Sequence, residues 1–326
     1  VLMVQGHVFS TLLDGATKSQ SWYPHHAFVH GYTAPMFLFG AGLAFGYTTF
    51  RTWDAQASGG RAATKRYTRY LWLLAFGYGL HLPSSSLSGL LSLDATDVAR
   101  MLQVDVLQHI GVSLAFAQLL VFLLKRQRVF VGVLAVIALA SVFLAPWVWA
   151  LDVSGLPVWM QGYVSAGSFS YFPIVPWVGF TYGGIVIAYA VGLDRGEKSV
   201  SVRVAWPFLT LALVFMITPV VIDRFGPFDW PAHNFWKTNP LFFSWRLGNV
   251  MFVLALLCFA ERAARRLGWL DEGGSKLLGT ILPWVKLAAA ETLIIYVVHL
   301  IVLHGSALGP GLKQSGVLSE HAHGIA

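Results

Sequence analysis

VLQHIGVSLAFAQLLVFLLKRQRVFVGVLAVIALASVFLAPWVW, residues 106 to 149, decides the fold class. Two apolar runs of helical length flank a basic turn that carries Lys125, Arg126 and Arg128. A hydrocarbon core needs roughly 20 apolar residues in an α-helix, so each run reads as one crossing. A transmembrane barrel would show segments of about ten residues with alternating polarity instead. The rest of the chain agrees: 56% of its 326 residues are hydrophobic, 11% are charged, and mean hydropathy is +0.64. These values lie outside the range of soluble globular domains. The expected fold is an all-α polytopic membrane protein, a bundle of about nine or more transmembrane helices, forming one domain over residues 1 to 326 with no soluble domain.

Nine spans are expected, at about 1–13, 32–50, 68–84, 106–124, 129–149, 173–192, 205–222, 245–261 and 287–304. Spans 1 and 3 are short for a bilayer. The chain opens at Val1 without a Met or a charged flank, so the natural protein is expected to start upstream, and a truncated C-terminus stays open as well.

Charge orients the bundle. The connections after spans 2, 4, 6 and 8 carry Arg51, Arg61, Lys65, Arg66 and Arg69; Lys125, Arg126 and Arg128; Arg195, Lys198 and Arg203; and Arg262, Arg265, Arg266 and Lys276. That is fifteen of the 22 basic residues, against Lys18, Arg100, Arg224, Lys237 and Lys313 on the other side. The positive-inside rule makes the first set cytoplasmic. The net charge of +7 thus reflects topology, and no nucleic-acid partner is expected.

With that orientation all eleven histidines fall in or beside the outer half of the membrane. His25, His26, His30, His233, His321 and His323 lie in outer connections or the tail; His7, His81, His109, His299 and His304 lie in outward halves of spans. The single Cys258 excludes an intrachain disulfide framework. No ligand spacing of the H-E-x-x-H type occurs, and no metal site is expected.

Polar groups at bilayer depth cost about 2.5 to 3.5 kcal/mol on insertion scales, so they face a bundle interior or a water-filled cavity. Gln5, His7, His81, Asp105, Gln108, His109, Arg246, Glu291 and His299 are such groups. Taken singly each is as well explained by an interhelical hydrogen bond. Tyr296 and His299 share a helix face three residues apart, and Glu291 extends the expected inward stripe. Trp147, Trp149, Trp159, Trp177, Trp230, Trp236 and Trp245 read mostly as an aromatic belt at the outer interface. Arg246 is expected to pair with Asp105, Asp223 or an anionic substrate.

Four segments carry a resemblance. Trp22 to Phe45, WYPHHAFVHGYTAPMFLFGAGLAF, resembles the first lumenal loop and second span of the heparan-α-glucosaminide N-acetyltransferase family, a K-H-A-S-W-N-G-L-T type loop running into F-x-F-I-x-G. His26, Ala27, Gly31, Thr33, Phe37, Phe39 and Gly40 fall on matching positions. Val106 to Ile110 resembles the family's V-L-Q-R-I, Phe172 to Phe180 its F-P-x-x-P-W-x-G-F, and Tyr296 to His299 the Y-x-x-H of its closing span.

The resemblance implies transmembrane acyl transfer, as in bacterial relatives of unassigned substrate. Acetyl-CoA or another acyl-CoA would be the donor substrate on the cytoplasmic side, with no bound cofactor; a hydroxyl or amine of a glycan or other acceptor would receive the acyl group outside. It gives His26 the catalytic role, by an acetyl-imidazole or by general-base catalysis, and makes His30 a second catalytic candidate. His7, Asp105, Gln108, His109, Trp177, Arg246, Tyr296 and His299 are the expected substrate-binding residues. Three departures stand out: His30 replaces an Asn, Ala34-Pro35 replaces an Asp that would orient the imidazole, and His109 replaces an Arg. Asp105 is the expected substitute for the missing carboxylate. CoA phosphates would meet the basic residues of the first two cytoplasmic connections, whose simpler reading is as topology determinants.

The expected location is a bacterial inner membrane, in contact with lipid, with the His25 to His30 loop extracytoplasmic and homo-oligomer formation left open. A transporter or exporter of a polar small molecule is the rival reading, although no inverted repeat is visible; a non-catalytic membrane subunit is a third. The orientation has a direct check. Cysteine placed at Ser19 should react with an impermeant thiol reagent on intact cells, and labelling only after permeabilisation would reverse the topology.

Overall fold

The computed structural model describes residues 2–165, 167, 169–192, 200–225, 230–231, 233–270, 275–307 and 309–314. Arg195, Lys198, His321 and His323 lie outside the described residues. In chain order the helices are α1 Leu2–Leu12, α2 Gly15–Lys18, α3 Trp22–His30, α4 Thr33–Arg51, α5 Trp53–Ala57, α6 Arg61–Gly79, α7 Leu87–Leu91, α8 Ala95–Met101 and α9 Val106–Leu124. They continue as α10 Gln127–Phe143, α11 Ala145–Trp149, α12 Val158–Val164, α13 Ile174–Ala190, α14 Val200–Arg224, α15 Phe235–Thr238, α16 Pro240–Arg266, α17 Lys276–Ala290 and α18 Thr292–His304. Among the described residues the extended pairing is confined to one isolated bridge, Ser306 with Gly309. The protein is all-helical, as the apolar runs required.

Each expected span overlaps a helix, but fewer helices are long and apolar enough to cross a membrane. Among the described residues four qualify: Trp22–Arg51, Val106–Leu124, Val204–Arg224 and Pro240–Arg266. A fifth is counted if Gly279–Ala290 and Thr292–His304, which meet at 77°, form one broken span. The physical reasons differ. α6 carries Arg61, Lys65, Arg66 and Arg69 on its first turns, whereas α10 and α13 are apolar but only 17 residues long. At 1.5 Å per residue they fall short of a core of about 30 Å.

The chain divides into two compact units: Val1–Thr33 with Gly79–Asp97 and Glu261–Ala326, and Ala34–Tyr78 with Val98–Ala260. In the second unit α4 and α13 meet backbone to backbone. A Cβ on Gly42 would lie 1.8 Å from the Thr181 carbonyl oxygen, and one on Gly184 would lie 2.3 Å from that of Phe39. Small residues permit such approach, which matters where lipid removes the hydrophobic drive for helix association. Phe39, Phe180 and Ile185 fill the surrounding core and are fully enclosed.

The quoted stretch folds as its residues dictate. Asp105 Oδ1 accepts from the Val106 N–H (2.7 Å), and Gln108 Oε1 accepts from the Asp105 N–H (3.3 Å), a capping box that opens α9. α9 ends at Lys125, which takes a left-handed conformation (φ 53°) so that the chain can turn into α10. The Lys125 carbonyl accepts from Trp53 Nε1 at 3.3 Å. Before Pro176, Val175 is extended (φ −95°, ψ 123°), a break in the helical ladder at the start of α13. Trp149 Nε1 donates to the carbonyl left outside the helical ladder there, at 2.7 Å. Trp149 and the buried Trp177 therefore leave the expected aromatic belt, whereas Trp147, Trp159 and Trp236 stay exposed.

The first unit corrects two expectations. The connection expected at residues 14–31 contains the helix α3, so His26 and His30 are helical residues and not loop residues. Pro24 does not prevent it, because a first-turn N–H needs no intrahelical acceptor. Glu291 sits exposed at the bend between α17 and α18, outside the polar stripe expected to include it.

The glycine contacts generate a stability test. Gly42→Ala should cost about 1 to 3 kcal/mol through overpacking, read as a lower unfolding midpoint in detergent. Gly40→Ala, whose Cβ meets nothing within 4 Å, should leave the midpoint unchanged.

Candidate active site

In the first unit, α1, α3 and α18 bring four imidazoles together. The i,i+4 spacing of His26 and His30 puts both on one face of α3, with rings stacked at 6.2 Å between centroids and 7° apart. His7 of α1 meets His30 edge-on at 5.5 Å and His299 of α18 at 5.2 Å. Tyr296, buried one turn before His299, lies 5.7 Å from its ring. Thr11 Oγ1 and His304 Nε2, 3.4 Å apart, extend the α1 to α18 contact by one turn.

Hydrogen bonding sets the chemistry of these rings. His299 Nδ1 is 2.8 Å from the Ile295 carbonyl, which can only accept, so Nδ1 carries the proton and Nε2 of the neutral ring presents a lone pair. That Nε2 is buried with no hydrogen-bond partner, as are Nδ1 of His26 and Nδ1 of His30. Leaving such a group unmet costs about 1 to 3 kcal/mol. Three in one cluster mark a place built to receive hydrogen-bonding or electrophilic groups of a ligand. Among the described residues no group of three or more His, Cys, Asp or Glu side chains converges as a metal site would require.

Two features of this cluster escaped the sequence reading. His26 is packed against Phe9 (4.7 Å between centroids) and Tyr23 (5.9 Å), whereas His25 is exposed. Gly6 is the second: a Cβ there would lie 1.8 Å from His30 Nδ1, so only glycine lets the ring rest on α1. Its position beside His7 was the available signal.

The other expected site residues belong to the second unit. Asp105 and Gln108 form the capping box of α9. His109 is fully enclosed; its Nδ1–H donates to the Phe172 carbonyl (3.1 Å), and the Thr181 hydroxyl donates to its Nε2 (3.3 Å). Both nitrogens are met by protein, which ties α9 to the start and middle of α13. Trp177 and Arg246 line one open recess of about 210 Å³. Arg246 donates to the Trp236 carbonyl (3.1 Å) and covers the Phe242 ring at 4.5 Å.

Among the expected phosphate-binding cations, Arg66 is committed to packing. Its Nη1 donates to Thr49 Oγ1 (2.7 Å) and Gln118 Oε1 (3.0 Å), its Nη2 to Thr48 Oγ1 (2.9 Å), and it lies over Phe45. Arg51, Arg61, Lys65, Arg69, Lys125, Arg126 and Arg128 remain exposed.

Several helices long and apolar enough to cross a membrane define a multi-pass membrane protein. Residues 1–217 match the family described as heparan-alpha-glucosaminide N-acetyltransferase, catalytic, and the chain belongs to that family. Comparison with curated proteins gave no match, and comparison with solved structures gave none either. The matched region includes His7, His26 and His30 and ends before His299.

Gly6 gives a prediction that needs no substrate. Gly6→Ala should displace the His30 ring at little expense in stability, since a side chain and not backbone must yield. The measurement is modification of His30 by diethyl pyrocarbonate, read by mass spectrometry; labelling should rise several-fold over wild type while the unfolding midpoint changes little.

Proposed function

We propose that this acyltransferase moves an acetyl or other acyl group from cytoplasmic acyl-CoA to a hydroxyl or amine of an extracytoplasmic glycan-type acceptor, with His26 as the reacting imidazole. The observation that carries this reading is the buried, unpartnered Nδ1 of His26 within four clustered imidazoles, in a chain whose family is described by N-acetyl transfer. A neutral imidazole has the nitrogen lone pair that acyl transfer needs.

Two routes use the same ring. In one, the His26 nitrogen attacks the thioester carbonyl, the C–S bond breaks and CoA leaves as thiolate; the acceptor then attacks the acyl-imidazole and its C–N bond breaks. In the other, His26 takes the proton of the acceptor as that group attacks the thioester directly, the C–S bond breaks, and the imidazolium returns the proton to the departing CoA thiolate. His30 orients His26 along α3. His299, held with Nε2 as a lone pair, suits the role of hydrogen-bond acceptor toward the incoming hydroxyl or amine, with His7 and Tyr296 beside it. The exposed cations of the inner connections hold the donor phosphates. Asp105, Gln108 and His109 act by holding the start of α9. In this reading the long apolar helices cross a bacterial inner membrane, with the histidine cluster toward the outside.

Purified protein incubated with labelled acetyl-CoA and glucosamine tests the proposal. His26→Ala should lower transfer at least about 100-fold, and retention of more than roughly a tenth of wild-type turnover would remove His26 from the chemistry. His299→Asn keeps a donor for the Ile295 carbonyl and loses the Nε2 lone pair; it should slow transfer to glucosamine and spare any label captured on the protein itself. His25→Ala should be mild, as befits an exposed ring.

A further inference from the structure

The second unit holds a recess that the acyl-transfer reading does not use. Its walls are the start of α13, the short helix α15 and the first turns of α16. Phe180, Trp236 and Phe242 supply aromatic faces, and Lys237 and Arg246 supply two positive charges. Among the described residues its lining includes no acidic side chain. The Phe242 face and the Trp236 carbonyl fix the Arg246 guanidinium in place. Asn239 holds the turn beneath: its Oδ1 accepts from the Leu241 and Phe242 N–H groups, at 2.9 and 3.0 Å.

The observation that turns this lining into a site is Trp177. Its side chain is 7% exposed, and its indole N–H is buried with no hydrogen-bond acceptor. A belt tryptophan keeps that N–H among headgroups and water. The Trp177 side chain lines a recess that carries two cationic side chains, and an unmet buried donor is worth about 1 to 3 kcal/mol to any acceptor that reaches it. We infer that this recess binds the anionic group of a ligand, a carboxylate or a phosphate, with Arg246 and Lys237 balancing its charge, Trp177 donating to one of its oxygens and the rings of Trp236 and Phe242 covering the attached body. Ionised acceptors form the strongest hydrogen bonds with such donors.

Carboxylate and phosphate can come from a sugar acid or from an anionic lipid, and calorimetry on the purified protein in neutral detergent separates the two. Glucuronate is titrated against glucose in one arm, and phosphatidylglycerol against phosphatidylcholine in the other. Binding of either anion, and not of its neutral counterpart, is expected, weakening as salt rises. Trp177→Phe keeps the ring and loses the donor; it and Lys237→Gln, on an exposed side chain that folding does not need, should each weaken binding by about threefold to tenfold. Arg246→Lys should retain part of the affinity. Saturation by glucuronate assigns a sugar acid; saturation by phosphatidylglycerol alone assigns a lipid head group. Failure of both anions to bind, or equal binding in wild type, Trp177→Phe and Lys237→Gln, would overturn the site. Because no readout involves acyl transfer, the outcome is independent of the role of His26.

Discussion

A polar atom held away from water has to find its partner within the protein, and in a chain with 56% hydrophobic residues that requirement governs what each buried polar side chain does. Most are closed pairs. His109 spends one nitrogen on the Phe172 carbonyl and the other on the Thr181 hydroxyl; Tyr182 donates to the Ser113 carbonyl at 3.0 Å; Arg66 spreads its charge over two threonines and a glutamine. These bonds tie α4, α6, α9 and α13 together at depths where unpaired groups would be expelled. Among the described residues the exceptions include three imidazoles of the first unit and, in the second, the indole of Trp177, the Gln56 side-chain carbonyl and the Ser113 hydroxyl. Function is read from the exceptions because the closed pairs have no valence left for a ligand.

Close backbone approach complements this pairing. Lipid tails are as apolar as leucine, so dispersion and shape must hold helices together. Gly42 and Gly184 allow the carbonyls of α13 and α4 to approach where any Cβ would collide. Gly6 applies the same principle to the candidate site, giving up a side chain so that His30 can lie on α1. Glycine serves helix packing in the first case and the placement of a candidate-site imidazole in the second.

Placing His26 and His30 on a helix changes the chemistry expected of them. A loop histidine would depend on a carboxylate to orient it, and the sequence lacks one at the family position, where Ala34 and Pro35 stand. On α3 the backbone fixes both rings at one helical turn, and Phe9 and Tyr23 hold His26 from either side. His26 is positioned by packing, and Asp105 caps the start of α9.

The sequence by itself determined the helical class, the position of the basic turn at Lys125 to Arg128 and the family, because these depend on local composition, period and motif. The lengths of α6, α10 and α13 as crossings were less legible: apolar run and helix length diverge when cations or a proline break intervene. The partners of individual polar atoms belonged to the tertiary structure alone. Asp105, Gln108 and His109 read in sequence as substrate contacts like His299, since residue type carries no record of what lies across a helix interface. Only packing decided that His109 is closed on both nitrogens while His299 keeps one lone pair open, because a hydrogen bond forms between atoms brought within about 3 Å, a distance that separation along the chain does not encode.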